Sequence, residues 1–292
     1  MHRLFCYGFG YSAQAFARRL EGRGDFHVSG TTRGDPCADR NREPISTIYN
    51  ITGRERDERV VSALRTATHL LVSASPDDDG DPMLRFYGDV LRSSDNLSWV
   101  GYLSTIGVYG DQNNSWVDED TPVAPLSIRA RCRVSSEQEW FDFGTITGRR
   151  VQVFRLAGIY GPGRCVLDKL RDGTARRIFK QDQVFNRIHV DDIANVLAAA
   201  LAIKGAHRVY NVCDDEPAPP QDVVAFGAKL LRIKSPPLIP FEKAGLSMMG
   251  RSFYNERRRL RNERIKTDLK VKLLYPTYRE GLRAIASQLG GV

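Results

Sequence analysis

Short apolar runs alternate with amphipathic stretches through the first two-thirds of the chain, which predicts a parallel sheet covered by helices on both faces. Leu4-Phe5-Cys6-Tyr7 is a first strand, and Ala15, Phe16, Ala17 and Leu20 then recur at helical spacing. Phe26–Thr32 reads as a second strand and 45–51 as a third. Residues 56–67 follow as a helix with Val60, Val61 and Leu64 on one side. A fourth strand over 69–75 ends in small residues, and the acidic loop 77–81 precedes a helix over 82–93. The fifth strand spans 99–105, a helix 129–143 and a sixth strand 150–156. Gly161-Pro162-Gly163-Arg164 then breaks the alternation. Further on, 188–201 reads as a strand turning into a helix and 207–212 as another short strand. Prolines cluster between Pro217 and Pro240, marking a region of long connections.

The first strand runs directly into Gly8-x-Gly10-x-x-Ala13. Strand, tight glycine turn and helix N-terminus together receive the pyrophosphate of a dinucleotide. Gly8 permits the turn, Gly10 lets the backbone approach the phosphates, and Ala13 lets helix and strand pack closely. The amides of Tyr11, Ser12 and Ala13 and the positive end of the helix dipole face the anion. Arg33 stands 20 positions after Ala13, where an NAD-binding chain usually places an acidic residue for the ribose hydroxyls. Thr31, Thr32 and Arg33 suit a 2′-phosphate instead, so the expected cofactor is NADP rather than NAD. The expected fold is α/β: a doubly wound parallel Rossmann sheet with helices on both faces and a small C-terminal substrate lobe. Residues 1–163 form the core, completed by about 188–213, and 164–187 with 214–292 form the lobe.

Composition narrows the class without changing it. The 292 residues are 41% hydrophobic and 27% charged, ordinary globular values. The formal net charge of +8 raises the question of nucleic acid, but no zinc-ligand spacing or RNA-recognition signature accompanies it. A basic protein that holds a polyphosphate cofactor explains the charge more simply. Five scattered cysteines, Cys6, Cys37, Cys132, Cys165 and Cys213, fit reduced thiols in a cytoplasm and no metal site. The start of the chain mimics a secretion signal, but Gly8 and Gly10 interrupt the apolar stretch and Arg18-Arg19 follow it. The apolar segment 196–203 is too short to cross a bilayer. The expected partner is therefore a small-molecule substrate, with a homodimer open and neither membrane nor nucleic acid involved.

Four segments in order resemble the extended short-chain dehydrogenase/reductase family of epimerases and dehydratases. They are the glycine turn, Leu103-Ser104-Thr105-Ile106-Gly107-Val108-Tyr109-Gly110, Arg155-Leu156-Ala157-Gly158-Ile159-Tyr160-Gly161-Pro162, and Ile188-His189-Val190-Asp191-Asp192-Ile193-Ala194. The resemblance implies a Tyr-x-x-x-Lys pair, with the tyrosine exchanging a proton with substrate and the lysine holding the nicotinamide ribose. In the family an acidic residue commonly follows four places after that lysine. Setting Glu137 there puts the lysine position at Arg133 and the tyrosine position at Arg129. Arg133 keeps the positive charge, whereas Arg129 does not give up a proton near neutrality. The chain thus looks like an atypical branch without the pair.

The resemblance implies further site residues. Thr105 takes the place of the hydroxyl that bonds the reacting oxygen, and a strand-end hydroxyl satisfying backbone is its bland alternative. Tyr109, the nearest phenol, is the candidate for proton transfer if it turns inward, with packing and a solvated tip as its bland alternative. Ser73, Ala74 and Ser75 end the fourth strand at the ligand edge of the sheet. Gly158 and Ile159 would lie against the nicotinamide. Arg155 resembles a fixed family position and is equally an ion-pair candidate, His189 is read as structural, and Asp191 as the N-cap of the following helix. The basic stretch 164–183 meets an acidic substrate or forms a solvated face, and 251–272 reads as structural. Two functions stay open. One is an NADP-dependent oxidoreductase or epimerase acting on a small polar, acidic or sugar-like substrate. The other is a non-catalytic NADP-binding sensor or regulatory protein of the same fold.

Overall fold

In the computed structural model, which describes residues 1–34, 47–203 and 208–290, seven parallel strands form the central sheet. They are β1 (His2–Tyr7), β2 (Phe26–Thr32), β3 (Thr47–Asn50), β4 (His69–Val72), β5 (Trp99–Thr105), β6 (Arg150–Leu156) and β7 (Arg208–Val212). Their spatial order is β7-β6-β5-β4-β1-β2-β3. The order reverses between β1 and β4, and ligands of open α/β sheets sit outside the strand ends at such a switch point.

Side-chain alternation accounts for both covered faces. On β1, Leu4 and Cys6 enter one core with Phe16, Leu20, Ile193 and Leu197. Phe5 and Tyr7 enter the other with Val60, Leu64, Tyr87, Leu91 and Trp140. The first core lies under α1 (Tyr11–Glu21) and a later helix, Val190–Ala202. The second lies under α2 (Glu58–Thr66), α3 (Pro82–Ser93) and α4 (Ile128–Thr147).

Beyond β6 the chain makes short parallel pairs: Gly158–Tyr160 with Arg187–His189, and Arg177–Phe179 with Leu238–Pro240. With the helices Val166–Arg171, Pro220–Leu230 and Tyr278–Gln288 they gather around a third core containing Tyr160, Leu167, Tyr278 and Leu282.

Several expected boundaries move for local reasons. The fourth strand stops at Val72, because the amides of Ser73 and Ala74 both turn to the Tyr7 carbonyl, at 3.0 and 3.1 Å. Helix α4 starts at Ile128, capped by the Ser127 side chain on the Ala130 amide, and Gly148 ends it at φ +69°. His189, not Asp191, is the N-cap of the helix Val190–Ala202. Its Nδ1 accepts the Asp191 amide at 3.2 Å, and Asp191 sits inside the first turn. The His189 ring packs against Tyr160 and Tyr275, as a structural residue should. Positions 45 and 46 of the expected third strand lie outside the described residues, as do Cys37 and His207.

Candidate functional site

The glycine turn is built by its neighbours. Gly8 has φ +92°, and a Cβ there would come within 2.9 Å of the Ala74 amide nitrogen. Its N–H donates to Thr31 Oγ1 at 2.9 Å, while Ser73 Oγ donates to its carbonyl. Gly10 differs. Its φ is −93°, ordinary for any residue, and a Cβ there would meet no atom within 4 Å. The protein fold therefore needs Gly8 for itself and leaves an open space over Gly10. Helix α1 begins at that space with no side-chain cap on its first amides and no acidic residue in its first turn. Uncapped amides over an open cradle fit a dinucleotide pyrophosphate. Ser12 and Ala13 are buried against the sheet, and Tyr11 reaches across to donate to the Pro162 carbonyl at 2.9 Å.

At the end of β2 the three expected 2′-phosphate groups separate. Thr31 is buried with its hydroxyl on Gly8, and Thr32 Oγ1 accepts the Gly34 amide at 3.3 Å. Arg33 is exposed, its stem lying over Gly53. The two threonines thus shape the turn, and among the described residues the guanidinium has no partner.

Helix α4 is fixed by a buried charge pair. Arg155 Nη2 bonds Glu137 Oε2 at 2.7 Å with the two side chains 8% and 5% exposed. Ser104 donates to the same carboxylate, and Arg155 Nη1 donates to the Tyr109 hydroxyl at 2.9 Å. The Tyr109 hydroxyl in turn donates to Asn211 Oδ1 at 2.7 Å. Burial pushes this phenol up to about 12. The expectation of Tyr109 as a proton-transfer group is thereby corrected: it is fully buried and committed to Arg155 and Asn211.

The register set by Glu137 carries Arg133 and Arg129, four and eight residues earlier, to the same helix face. Arg133 Nη1 donates to the Leu103 carbonyl at 2.6 Å and the Tyr102 hydroxyl at 3.1 Å, and Nη2 to Ser75 Oγ at 2.9 Å. Its guanidinium is held across the carboxyl ends of β4 and β5. Arg129 is exposed, with Nη1 3.9 Å from the Met249 sulfur.

A cleft of about 1300 Å³ opens beside this face, lined by Thr105, Arg129, Arg133, Ser75, Gly158 and Ile159 among others. Thr105 Oγ1 accepts the Gly107 amide at 3.2 Å, the bland role, yet its own proton meets no acceptor among the described residues and faces the cleft. Six cationic side chains line the cleft without a carboxylate in ion-pair contact among the described residues: Arg129, Arg133, Arg164, Lys169, Arg176 and Arg187. Three carboxylates also line it and offset part of this charge, leaving cations in the majority. Asp168 caps Cys165, Glu256 pairs with Arg258 at 2.7 Å, and Asp172 is exposed.

Of the basic stretch 164–183, Arg164, Lys169 and Arg176 reach the cleft, whereas Arg177 and Lys180 bond backbone carbonyls elsewhere. The later basic run is largely paired: Arg257 with Asp111, Arg264 with Asp120 and Lys266 with Asp215. Sequence reasoning missed Arg187, Tyr254 and Tyr278 as cleft residues. Arg187 adjoins the Ile188-His189-Val190-Asp191 motif, the one signal that pointed to it. Among the described residues no group of His, Cys, Asp and Glu is arranged to hold a metal, and no helix is long and apolar enough to cross a membrane.

Comparison with known proteins agrees with this geometry. The chain is 26% identical over 250 residues to Protein YeeZ of Escherichia coli K12, covering 81% of this chain and 86% of that one. It is 44% identical to a conserved protein of unknown function from Silicibacter pomeroyi DSS, whose structure superposes with a TM-score of 0.88 over 100% of both chains. dTDP-glucose 4,6-dehydratase from Bacillus anthracis str. Ames, solved in complex with NAD, has a TM-score of 0.80 at 16% identity, covering 99% of this chain and 96% of that one, which shows the shared fold. The NAD dependent epimerase/dehydratase family pattern matches residues 8–213. The chain belongs to the NAD dependent epimerase/dehydratase family.

Proposed function

We propose that this protein is an NADP-dependent oxidoreductase or epimerase of an atypical branch of its family, acting on a small polar substrate of acidic or sugar-like character. The observation that carries the reading is Arg133, whose guanidinium is fixed at the ends of β4 and β5, between the cleft and the Ser75 edge. A bound nicotinamide supplies hydride exchange. Arg133 takes the ribose-holding place, the free Thr105 proton bonds the reacting oxygen, and exposed Arg129 orients an anionic substrate. With Tyr109 buried, proton exchange falls to water at Thr105.

Arg133→Ala is expected to weaken NADPH binding by ~1–3 kcal/mol, the range for losing a charged hydrogen bond. Arg129→Ala should leave NADPH binding nearly unchanged. Calorimetric titration of both variants checks the pair, and equal losses would refute the division of labour.

Arg33 sets the choice of cofactor. NADPH is expected to bind more tightly than NADH, and Arg33→Asp to invert that order, because a carboxylate repels the 2′-phosphate and accepts the ribose hydroxyls. Titrating both proteins with both cofactors decides it, and equal affinities in the wild type would sink the claim.

The same burial of Tyr109, together with an arginine at position 129, favours a second reading: a cofactor-binding sensor without turnover. Steady NADPH affinity with no hydride transfer to any carbonyl panel would support it.

A further inference from the structure

We propose that Arg187 is the floor of an oxyanion subsite that seats a carboxylate or phosphate group of the substrate. The proposal deepens the small-polar-substrate reading and rests on it. Arg187 lies on the short strand paired in parallel with Gly158–Tyr160, so its backbone is tied to the segment following β6. Its Nη1 donates to the Phe185 and Ala218 carbonyls at 2.8 and 3.1 Å. These bonds fix the guanidinium, while Nη2 and Nε have no protein partner among the described residues, and the residue lines the cleft.

Among the described residues no carboxylate forms an ion pair with this guanidinium. Burial pushes the Arg187 guanidinium below its ordinary range. The carboxyl that acts on it electrostatically is Asp214, buried, with Oδ2 unpartnered and no ion-pair contact to Arg187 among the described residues. Burial raises that carboxyl well above the usual carboxylate range, while the Arg187 charge pulls it down. A half-buried cation without an ion partner among the described residues carries a desolvation cost, and that cost is offset when an anion arrives through the cleft. Tyr254 and Tyr278 line the same space close enough to interact electrostatically with Arg187, and neither hydroxyl has a protein partner among the described residues. Guanidinium and phenol donors lining one cleft are the chemistry that recognises an oxyanion. Exposed Arg164, Lys169 and Arg176 on the rim steer the same charge inward.

Calorimetric titration of the full-length protein, with and without NADPH, tests this using inorganic phosphate and malonate as separate probes. Saturable binding of either is expected. Arg187→Gln should weaken it ~10–100-fold, the span of a lost charged hydrogen bond, with NADPH affinity unchanged. Arg187→Lys should recover part of it, because the charge returns without the fork. Tighter phosphate binding assigns a phosphorylated substrate, and tighter malonate binding a carboxylate. If neither probe binds the wild type, or Arg187→Gln binds them as tightly, the subsite is overturned. If the probes need Arg187 but NADPH does not bind, the subsite stands and the oxidoreductase reading falls. Should Arg187→Gln fail to fold, wild-type crystals soaked in selenate decide: an anomalous peak on Arg187 supports the subsite, and its absence there overturns it.

Discussion

Gly10→Val is expected to abolish NADPH binding, raising the Kd by about two orders of magnitude or more (~3 kcal/mol), while the cofactor-free melting midpoint hardly moves. Gly10 has an ordinary φ, and a Cβ there meets nothing within 4 Å, so valine fits the protein alone. The change at this N-cap position costs ~1 kcal/mol at most. The same side chain fills the space through which a pyrophosphate would reach the uncapped amides of α1. Gly8→Ala is the control and should behave in the opposite way. At φ +92° and 2.9 Å from the Ala74 nitrogen, the methyl strains the turn itself and lowers stability whether or not cofactor is present. Melting curves and NADPH titrations on both variants read the contrast. Retained binding in Gly10→Val would make the turn structural only.

The second large effect concerns Glu137 and Arg155. Glu137→Ala leaves Arg155 buried without a counter-charge, and Arg155→Ala leaves Glu137 in the same position. Each single variant is expected to lose ~3–5 kcal/mol of stability. Replacing both with apolar residues, Glu137→Leu with Arg155→Met, should recover most of that loss, since neither charge is then left alone. Denaturant unfolding of the singles and the double closes the cycle. Singles within ~1 kcal/mol of wild type would mean that water reaches the pair.

These two sites also show what the sequence holds. Strands β5 and β6 occur at their expected bounds, Trp99–Thr105 and Arg150–Leu156, because both faces are buried and the apolar runs are continuous. The Gly8-x-Gly10 turn was legible because a left-handed φ and a close approach leave glycine as the residue of choice. Arg133 was reached by counting back from Glu137, since helix spacing fixes which residues share a face. Tyr109 was misread because its partners, Asn211 and Arg155, are 102 and 46 positions away. Local spacing carries no record of such pairings. Arg187 stayed hidden for the same reason, as its place in the cleft is decided by tertiary packing. The 69–75 strand was overextended because Ser73 and Ala74 are compatible with a strand, while their amides bond Tyr7 across the sheet.

The double tether of Gly8 has a consequence for how ligand is met. Its N–H is tied to Thr31 on β2, and its carbonyl to Ser73 just past β4. Strands on both sides of β1 therefore hold the turn in shape before anything binds. Little backbone ordering remains to be done on association, so the free-energy cost of immobilising a loop is already met during folding. Encounter should resemble a key entering a finished lock at this end of the site. Amide hydrogen exchange at Gly8 should be slow in the free protein and change little when cofactor is added.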